Sequence, residues 1–525
     1  MSVKKMDIRS MQGLNGTHLG YFLERNSMLF ANRLAIIDVN QNKKLTYAEL
    51  NARVNQLANS LLTLGIKSGD HVAFLMNDKA ECLELLFALN RIGAVWVPCN
   101  CRFTEQEVLA QIQHSDAVAL VFDQEFEEIV SNVQSRLSIA SNHYISVGMT
   151  KGTYTDFDRL IDHGSPVNPN VHVEGTSPCG IIYTSGTTGV PKGAVHTHDT
   201  IIGWAMNPIQ VIGWHWEDKV LNPYPMFHLG GTVTSIAIML TGATNVIFGK
   251  FDVEKFLKVV EREQITTIAV VPTILNAILK LPEEEIKKYN WSSLRCLATS
   301  SAPLMSDVQE LFMKYWQDVK LFTLYSATEL FYTVLLPEDH KRKTRCVGFP
   351  SYGMEVKVVN QDGEEAKPGE IGLIYGRGIS LFKGYYKNPE AEHKSFLDGW
   401  FTCDDMGYFD EEEYLYVVDR KKDMINSGGE KISSIEVEDL ILTHPDVKEV
   451  AVIGLPDEIW GERVHAVVSL KPGGQVSEAA ILAWCKERIS GYKRPRSIEI
   501  MPEIPKTPVG KISKKDLRAM VLNRG

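Results

Sequence analysis

The sequence predicts an α/β protein. A large N-terminal domain of mostly parallel sheets covered by helices, with a small β-barrel-like subdomain, is followed by a small mobile α/β C-terminal domain. Three observations carry this expectation. Strand-like and helical periods alternate from Leu45 to Phe122 and again from Thr266 to Tyr325, the rhythm of βα units in a parallel sheet. Short β-like pieces separated by Gly and Asp turns begin near Gly348. Past the charged run Asp419-Arg420-Lys421-Lys422-Asp423 the α/β texture returns. The expected division is therefore 1–420, with 348–420 rich in strands, and 421–525; a chain of 525 residues is too long for one core.

The elements follow in order. Thr46 is placed to cap a helix over Tyr47–Leu64, with Glu49 at the capping-box position and Leu50, Val54, Leu57, Leu61 and Leu64 at helical spacing; Gly65 stops it. His71–Leu75 reads as a strand, Ala80–Ile92 as a second amphipathic helix, and Ala94–Val97 as a strand closed by Pro98. Gly180-Ile181-Ile182 is strand-like and leads into Tyr183-Thr184-Ser185-Gly186-Thr187-Thr188-Gly189-Val190-Pro191-Lys192-Gly193, a turn of glycines, small hydroxyls and one lysine. Pro223–Gly231 surrounds His228 with prolines and glycines. Thr266–Val271, Leu294–Ala298 and Leu321–Tyr325 are strand-like, with helices over Thr273–Lys280 and Leu304–Trp316. Farther on, Glu355–Val359, Gly372–Gly376, Gly407–Asp410 and Tyr414–Val418 are short strands. The C-terminal part alternates helix Ile435–Thr443, strands Val447–Gly454 and Val464–Leu470, and helix Glu478–Ser490.

Composition excludes several function classes. A formal charge of −10 argues against a general nucleic-acid binder, which needs a basic face. Eight scattered cysteines lack zinc-ligand spacing and read as reduced thiols of a cytoplasmic protein. No apolar run approaches the roughly 18 residues of a membrane span, and no apolar stretch follows the basic residues of the N-terminus.

The loop at Tyr183–Gly193 suits a polyphosphate, because glycines let backbone N–H groups approach, hydroxyls add donors and Lys192 adds charge. It differs from a Walker A loop: Pro191 precedes the lysine and Gly193 follows it, so no hydroxyl stands ready to hold magnesium. Three strand ends deliver polar turns, at Thr184–Lys192, Thr299–Ala302 and Tyr325–Glu329, and are expected to face one crevice. Glu329 is placed for a magnesium ligand or is a solvated loop glutamate. Asp405 and Arg420 can bind ribose hydroxyls or phosphate, or form a surface ion pair. Lys511 follows Gly510 on a loop, where it can stabilise charge in a transition state or stay solvated. His228 lines an acyl site or is a buried, hydrogen-bonded ring; His196 and His198 have no third ligand in sequence and are taken as structural.

Together these motifs resemble the adenylate-forming superfamily of acyl- and aryl-CoA synthetases, luciferases and non-ribosomal peptide adenylation domains. The likeness runs from Leu45-Thr46-Tyr47-Ala48-Glu49-Leu50 and Arg91-Ile92-Gly93-Ala94-Val95-Trp96-Val97-Pro98 to Gly510-Lys511-Ile512. It implies ATP, Mg2+ and coenzyme A as ligands. Thr184, Ser185, Gly186, Thr187, Thr188 and Lys192 would handle the phosphates. Ser300, Ser301 and Ala302 would lie along the adenine, Tyr325 would stack on it with Ser326 beside it, and Thr328 would meet the α-phosphate. Glu329 would bind the metal, Asp405 and Arg420 the ribose, and Lys511 would bridge carboxylate and α-phosphate. Lys422 matches the hinge of the C-terminal domain. Gly428, Gly429, Trp460, Tyr492, Arg494 and Arg496 resemble a CoA-binding surface.

The sequence departs from the family pattern at Ser300 and Ser301, which replace a glycine pair, at Ser326, and at Cys403-Asp404-Asp405, where Thr-Gly-Asp is common. Aligning on Gly407-Tyr408 makes Asp405 the ribose ligand and Asp404 extra. The implied activity is a two-step carboxylate–CoA ligase for a medium-chain or aromatic acid, with His228, Gly230, Gly231, Ala327 and Phe331 around the acyl group. A homodimer is compatible with this reading. The rivals are an adenylating enzyme that loads a carrier protein or drives another reaction, and a non-catalytic binding protein of the same fold.

Overall fold

Thr46 does cap the first long helix. Its side chain accepts from the Glu49 amide while the Glu49 carboxylate accepts from the Thr46 amide, and Gly65 closes Tyr47–Leu64 in the left-handed conformation. In the computed structural model, which describes residues 18–184, 192–302, 304, 306–428, 430–506 and 512–524, the chain packs into two compact units. One takes the chain up to Glu355 together with Gly376–Phe401; the other takes Val356–Tyr375 and Thr402 onward.

Among the described residues the first unit holds two large sheets, of nine and eight strands. The nine-stranded sheet runs parallel through Leu34–Asp38, Thr244–Ile247, Lys219–Asn222, Thr267–Val270, Cys296–Thr299 and Lys320–Ser326. Antiparallel strands flank it, Lys43–Thr46 on one side and Phe331–Leu335 then Phe349–Pro350 on the other. The eight-stranded sheet runs parallel from Thr155–Asp156 through Tyr144–Val147, Ala119–Asp123, His71–Leu75 and Val95–Pro98 to Pro178–Thr184. Two antiparallel strands, Lys192–Thr197 and Gly384–Tyr385, complete it.

One core is shared by both sheets, with Trp96 and Phe74 from one, Ile247 and Phe322 from the other, and Leu50, Leu85 and Ile236 from helices. Separate clusters cover the remaining faces, around Phe256 and Phe312 on the nine-stranded sheet and around Phe122 and Ile112 on the eight-stranded sheet. The helix Ala80–Ile92 lies inside, buried on every side, where its spacing predicted an amphipathic helix. Its acidic positions are paired and not solvated: Glu84 meets Arg53 at 2.7 Å and Lys43 at 3.0 Å, and Glu81 meets Lys43 at 2.8 Å.

The second unit carries a five-stranded sheet in the order Glu430–Ile432, Ile425–Ser427, Gly461–Leu470, Val447–Asp457, with Ser497–Ile500 parallel to Gly461–Leu470. Alternate residues of Val447–Asp457 serve opposite faces: Val450 and Val452 pack with Val437 and Ile481, Ala451 and Ile453 with Met501 and Leu517. The pair Asp405–Phe409 and Leu415–Arg420 also belongs here, although the expected boundary lay at 420/421. The cause is a buried carboxylate. Asp419 accepts from the amide and hydroxyl of Ser434, at the start of helix Ser434–Leu442, and Ser433 donates to Val418. Cutting the chain after Arg420 would separate that helix from the carboxylate that satisfies its first amides.

No helix among the described residues is long and apolar enough to cross a membrane.

Candidate active site

The site residues of the first unit sit where two sheets meet. Thr299 and Thr323 are register partners on neighbouring parallel strands, so Ser300-Ser301-Ala302 leave the nine-stranded sheet beside the strand that ends in Tyr325-Ser326. Thr184 ends a strand of the eight-stranded sheet, so the three polar turns come from two sheets. Ser301 has φ +72°, a conformation that costs a non-glycine residue on the order of 1–2 kcal/mol. Ser300 Oγ lies 2.9 Å from Tyr224 Oη, which ties this turn to the loop before His228. The Tyr325 ring stacks on Tyr332 at 4.8 Å between centroids and 22° between planes.

Ser326 to Phe331 is the turn between two antiparallel strands, closed by the Ala327 amide donating to Leu330. It carries Thr328 and Glu329. Glu329 is only 7% exposed, so the carboxylate is desolvated and has to be held. Tyr385 donates its hydroxyl to Oε1 at 2.7 Å, and the Phe382 amide donates to the Glu329 carbonyl at 2.8 Å. His196 donates Nε2–H to the Thr328 carbonyl at 2.9 Å. Burial lowers its pKa to about 4, so the ring is neutral at working pH and the carbonyl acceptor fixes the proton on Nε2. His196 is thus the tie between the two sheets at this turn.

Two antiparallel strands flank the glycine-rich segment. Thr184 and Lys192 are cross-strand partners of Pro178–Thr184 and Lys192–Thr197; Ser185, Gly186, Thr187 and Thr188 lie outside the described residues. Lys192 Nζ sits 5.0 Å above the Tyr385 ring centroid. Of the acyl candidates, His228 precedes the helix Leu229–Thr241, which begins inside the stretch expected to be loop. Gly231 is packed: a Cβ there would lie 2.2 Å from the Pro225 carbonyl oxygen. Gly230 is open, with Tyr224 Cδ1 at 3.8 Å the nearest atom to such a Cβ. Ala327 stands in the turn just described, whereas Phe331 is 1% exposed and packs edge-on against Trp204 at 4.7 Å, inside the shared core.

In the second unit Asp405 and Arg420 are cross-strand partners, with Arg420 Nε 3.3 Å from Asp405 Oδ1. Cys403 donates its thiol to Asp405 Oδ2 at 3.2 Å. Asp404 is exposed with φ +65°, standing where glycine is usual, so Asp405 is the aspartate that faces Arg420. Lys422 lies in the exposed turn that follows, where partial desolvation lowers its pKa.

Gly428, with φ +64°, donates to the Trp460 carbonyl at 2.8 Å, and a Cβ there would lie 2.6 Å from the indole. Arg496 covers the same indole at 4.3 Å. Tyr492 is exposed on the next turn, while Arg494 is turned onto the Ile489 carbonyl at 3.0 Å. Gly428, Trp460 and Arg496 thus come together, and Arg494 does not join them. Gly429 and Lys511 lie outside the described residues.

A buried carboxylate beside a threonine suits Mg2+, a hard cation that takes one or two carboxylates and draws its other oxygens from phosphate and water. Among the described residues no three His, Cys, Asp or Glu side chains converge into a metal cage, so Glu329 fits that mode and an all-protein site does not. Tyr385 is the residue that sequence reasoning missed, whereas His196, taken there as structural, makes a buried hydrogen bond to the backbone. Tyr385 carries no local signal, since its role arises from pairing between segments far apart in the chain.

The AMP-binding enzyme family matches residues 23–386, and the AMP-binding enzyme C-terminal domain matches 436–511. The chain is 33% identical over 509 residues to the long-chain-fatty-acid–CoA ligase FadD13 of Mycobacterium tuberculosis, covering 95% of this chain and 98% of that protein. It is 35% identical over 477 residues to a feruloyl-CoA synthase of an Amycolatopsis species, covering 90% and 93%. The solved structure of ATP-bound MatB from Rhodopseudomonas palustris superposes with a TM-score of 0.86 at 27% identity over 96% of this chain and 99% of that one. The two matched domains and the full-length relatives bear out the resemblance drawn from the motifs: the chain belongs to the AMP-binding enzyme family, the adenylate-forming enzymes.

Proposed function

We propose that the chain is an ATP-dependent carboxylate–CoA ligase that forms an acyl-adenylate and then an acyl-CoA thioester. The observation that carries the chemistry is the wall on which Lys192 and the buried Glu329 stand together, joined through Tyr385. An ammonium and a metal-binding carboxylate on one wall suit a nucleotide polyphosphate. Relatives named as CoA ligases over nearly the full length support the thiol acceptor.

In the first step the substrate carboxylate attacks the α-phosphorus of ATP, the bond to the β-phosphate oxygen breaks, and pyrophosphate leaves. Thr184, Ser185, Gly186, Thr187, Thr188 and Lys192 hold the phosphates, and Thr328 contacts the α-phosphate. Ser300, Ser301 and Ala302 flank the adenine against Tyr325, and Asp405 with Arg420 holds the ribose. Glu329 would hold Mg2+, which when bound would neutralise phosphate charge. Lys511 draws the carboxylate and α-phosphate together, and positioning supplies much of the remaining acceleration. In the second step the C-terminal domain turns about Lys422, the CoA thiolate attacks the acyl carbon, and AMP leaves. Trp460, Gly428, Gly429, Tyr492, Arg494 and Arg496 receive the CoA.

The open side of Gly230 favours an acid with bulk beyond the carboxylate, a medium-chain or aromatic one. We place the enzyme in the cytoplasm, where cysteine thiols stay reduced. ATP–pyrophosphate exchange over a panel of acids, followed by thioester formation with CoA, tests the reading. Exchange that no acid stimulates overturns it. Acid-dependent exchange without thioester formation favours loading of a carrier protein instead.

A further inference from the structure

The reaction scheme gives Glu329 a task but leaves its surroundings unexplained. A desolvated carboxylate beside a lysine ordinarily closes into an ion pair, and a carboxylate neutralised in that way is a poor cation ligand. Here the tyrosine of Gly384-Tyr385 meets both groups. Its hydroxyl donates to Glu329 Oε1 at 2.7 Å, and its ring lies under Lys192 Nζ at 5.0 Å. Tyr385 is itself fixed: its backbone pairs with Ala194, its ring packs edge-on against Phe382 at 4.8 Å, and it is 8% exposed.

We propose that Tyr385 is a positioning residue for the cation ligand Glu329, and the spacer that keeps the Lys192 ammonium beside that carboxylate and not on it. The inference rests on the reading of Glu329 as the metal ligand. A carboxylate offers about four lone-pair sites, so one neutral hydroxyl fixes its orientation while leaving it charged and able to take a cation. The contact of Lys192 with the ring face is weaker than a charge-assisted pair, so a phosphate can draw the ammonium away. One side chain thereby holds the metal ligand ready and the phosphate ligand releasable.

The test uses the full-length protein with Mn2+ as the probe. Bound Mn2+ is measured by EPR in the presence of a non-hydrolysable ATP analogue, and binding of the metal-free analogue is measured in EDTA. Tyr385→Phe retains the ring, its packing and the lysine contact, and loses only the hydroxyl. It is expected to weaken Mn2+ binding about tenfold while changing metal-free nucleotide affinity less than about twofold. Tyr385→Leu, which also removes the spacer, is expected to weaken metal-free binding as well, because Lys192 closes onto Glu329. Glu329→Gln is the reference. Loss of Mn2+ affinity in Glu329→Gln but not in Tyr385→Phe overturns the role of Tyr385 alone. Unchanged Mn2+ affinity in both overturns the assignment of Glu329, and the proposal with it. Equal loss of metal-free and metal-dependent binding in Tyr385→Phe shows a general structural role and also overturns positioning.

Discussion

Replacing His196 by glutamine removes a titrating group from the wall of the site while keeping a side-chain N–H that can reach the Thr328 carbonyl. His196 is fully buried, and burial lowers its pKa from 6.5 to about 4. The folded state therefore favours the neutral ring. The stability this contributes is complete above pH 6.5 and is lost as pH falls from 6.5 towards 4, because the unfolded chain takes up the proton first. At pH 5 the loss relative to pH 8 is on the order of 2 kcal/mol for this one residue. In a unit this large that corresponds to roughly 2–4 °C in unfolding midpoint. The assay is thermal unfolding from pH 8 to pH 5 for the wild type and His196→Gln. Glutamine packs less well, so the variant melts lower at pH 8, and the gap narrows by that amount at pH 5. Parallel curves would refute the reasoning, since they would mean that His196 does not titrate between the folded and unfolded states. His18 and His198, whose pKa values burial also lowers to about 4 and about 3, remain in both proteins and supply a shared acid slope.

The neighbouring glycines 230 and 231 should respond in opposite ways. Gly231→Ala forces a Cβ against the Pro225 carbonyl and should cost about 1–3 kcal/mol, read as a lower unfolding midpoint, whereas Gly230→Leu should leave the midpoint within about 1 °C. Gly230→Leu should instead shift kcat/KM towards shorter acids by about tenfold or more for each methylene displaced. Asp405→Asn should raise the KM for ATP about tenfold or more with acid KM little changed, measured by pyrophosphate exchange, because a charged acceptor is lost. Lys514→Met leaves the largely buried Glu438, 2.7 Å from Lys514 in the native fold, without its ammonium. It should destabilise the second unit by about 3–5 kcal/mol in denaturant titration, and adding Glu438→Leu should recover part of that loss.

Local chemistry was legible wherever a residue acts on its own segment. The Thr46 capping box and the strand His71–Leu75 follow from side-chain type and spacing alone, and the structure places both at the expected residues. What stayed hidden depends on partners distant in sequence. Glu81 and Glu84 give Ala80–Ile92 the look of a surface helix, and Lys43, Arg53 and Gln41, from other segments, make their burial tolerable. Lys192–Thr197 mixes a lysine, a glycine and a histidine, which is no strand pattern until it is paired with Pro178–Thr184 and Gly384–Tyr385. Ser326 and Ser301 were visible as departures from a glycine pattern. That Ser301 takes up the left-handed backbone without glycine was not.

The strands that flank the glycine-rich segment bear on the kind of phosphate site proposed for it. A Walker A loop opens a helix, so the helix terminus supplies amides and a positive dipole end for the anion. Here the segment is closed by antiparallel strands, and Lys192–Thr197 continues as strand. Among the described residues, both flanks of the segment are strands and neither is a helix terminus. The positive charge must then come from side chains and from a bound cation, and both must be available in the ground state without cancelling the carboxylate that holds the cation. Lys192 over the Tyr385 ring, and Glu329 under the Tyr385 hydroxyl, meet that requirement. The absence of a hydroxyl after Lys192 and the presence of a buried tyrosine at 385 are, on this argument, two parts of one electrostatic solution. On the proposed reading the metal ligand stands in a turn on the other sheet and not in the loop, and a neutral aromatic side chain separates it from Lys192.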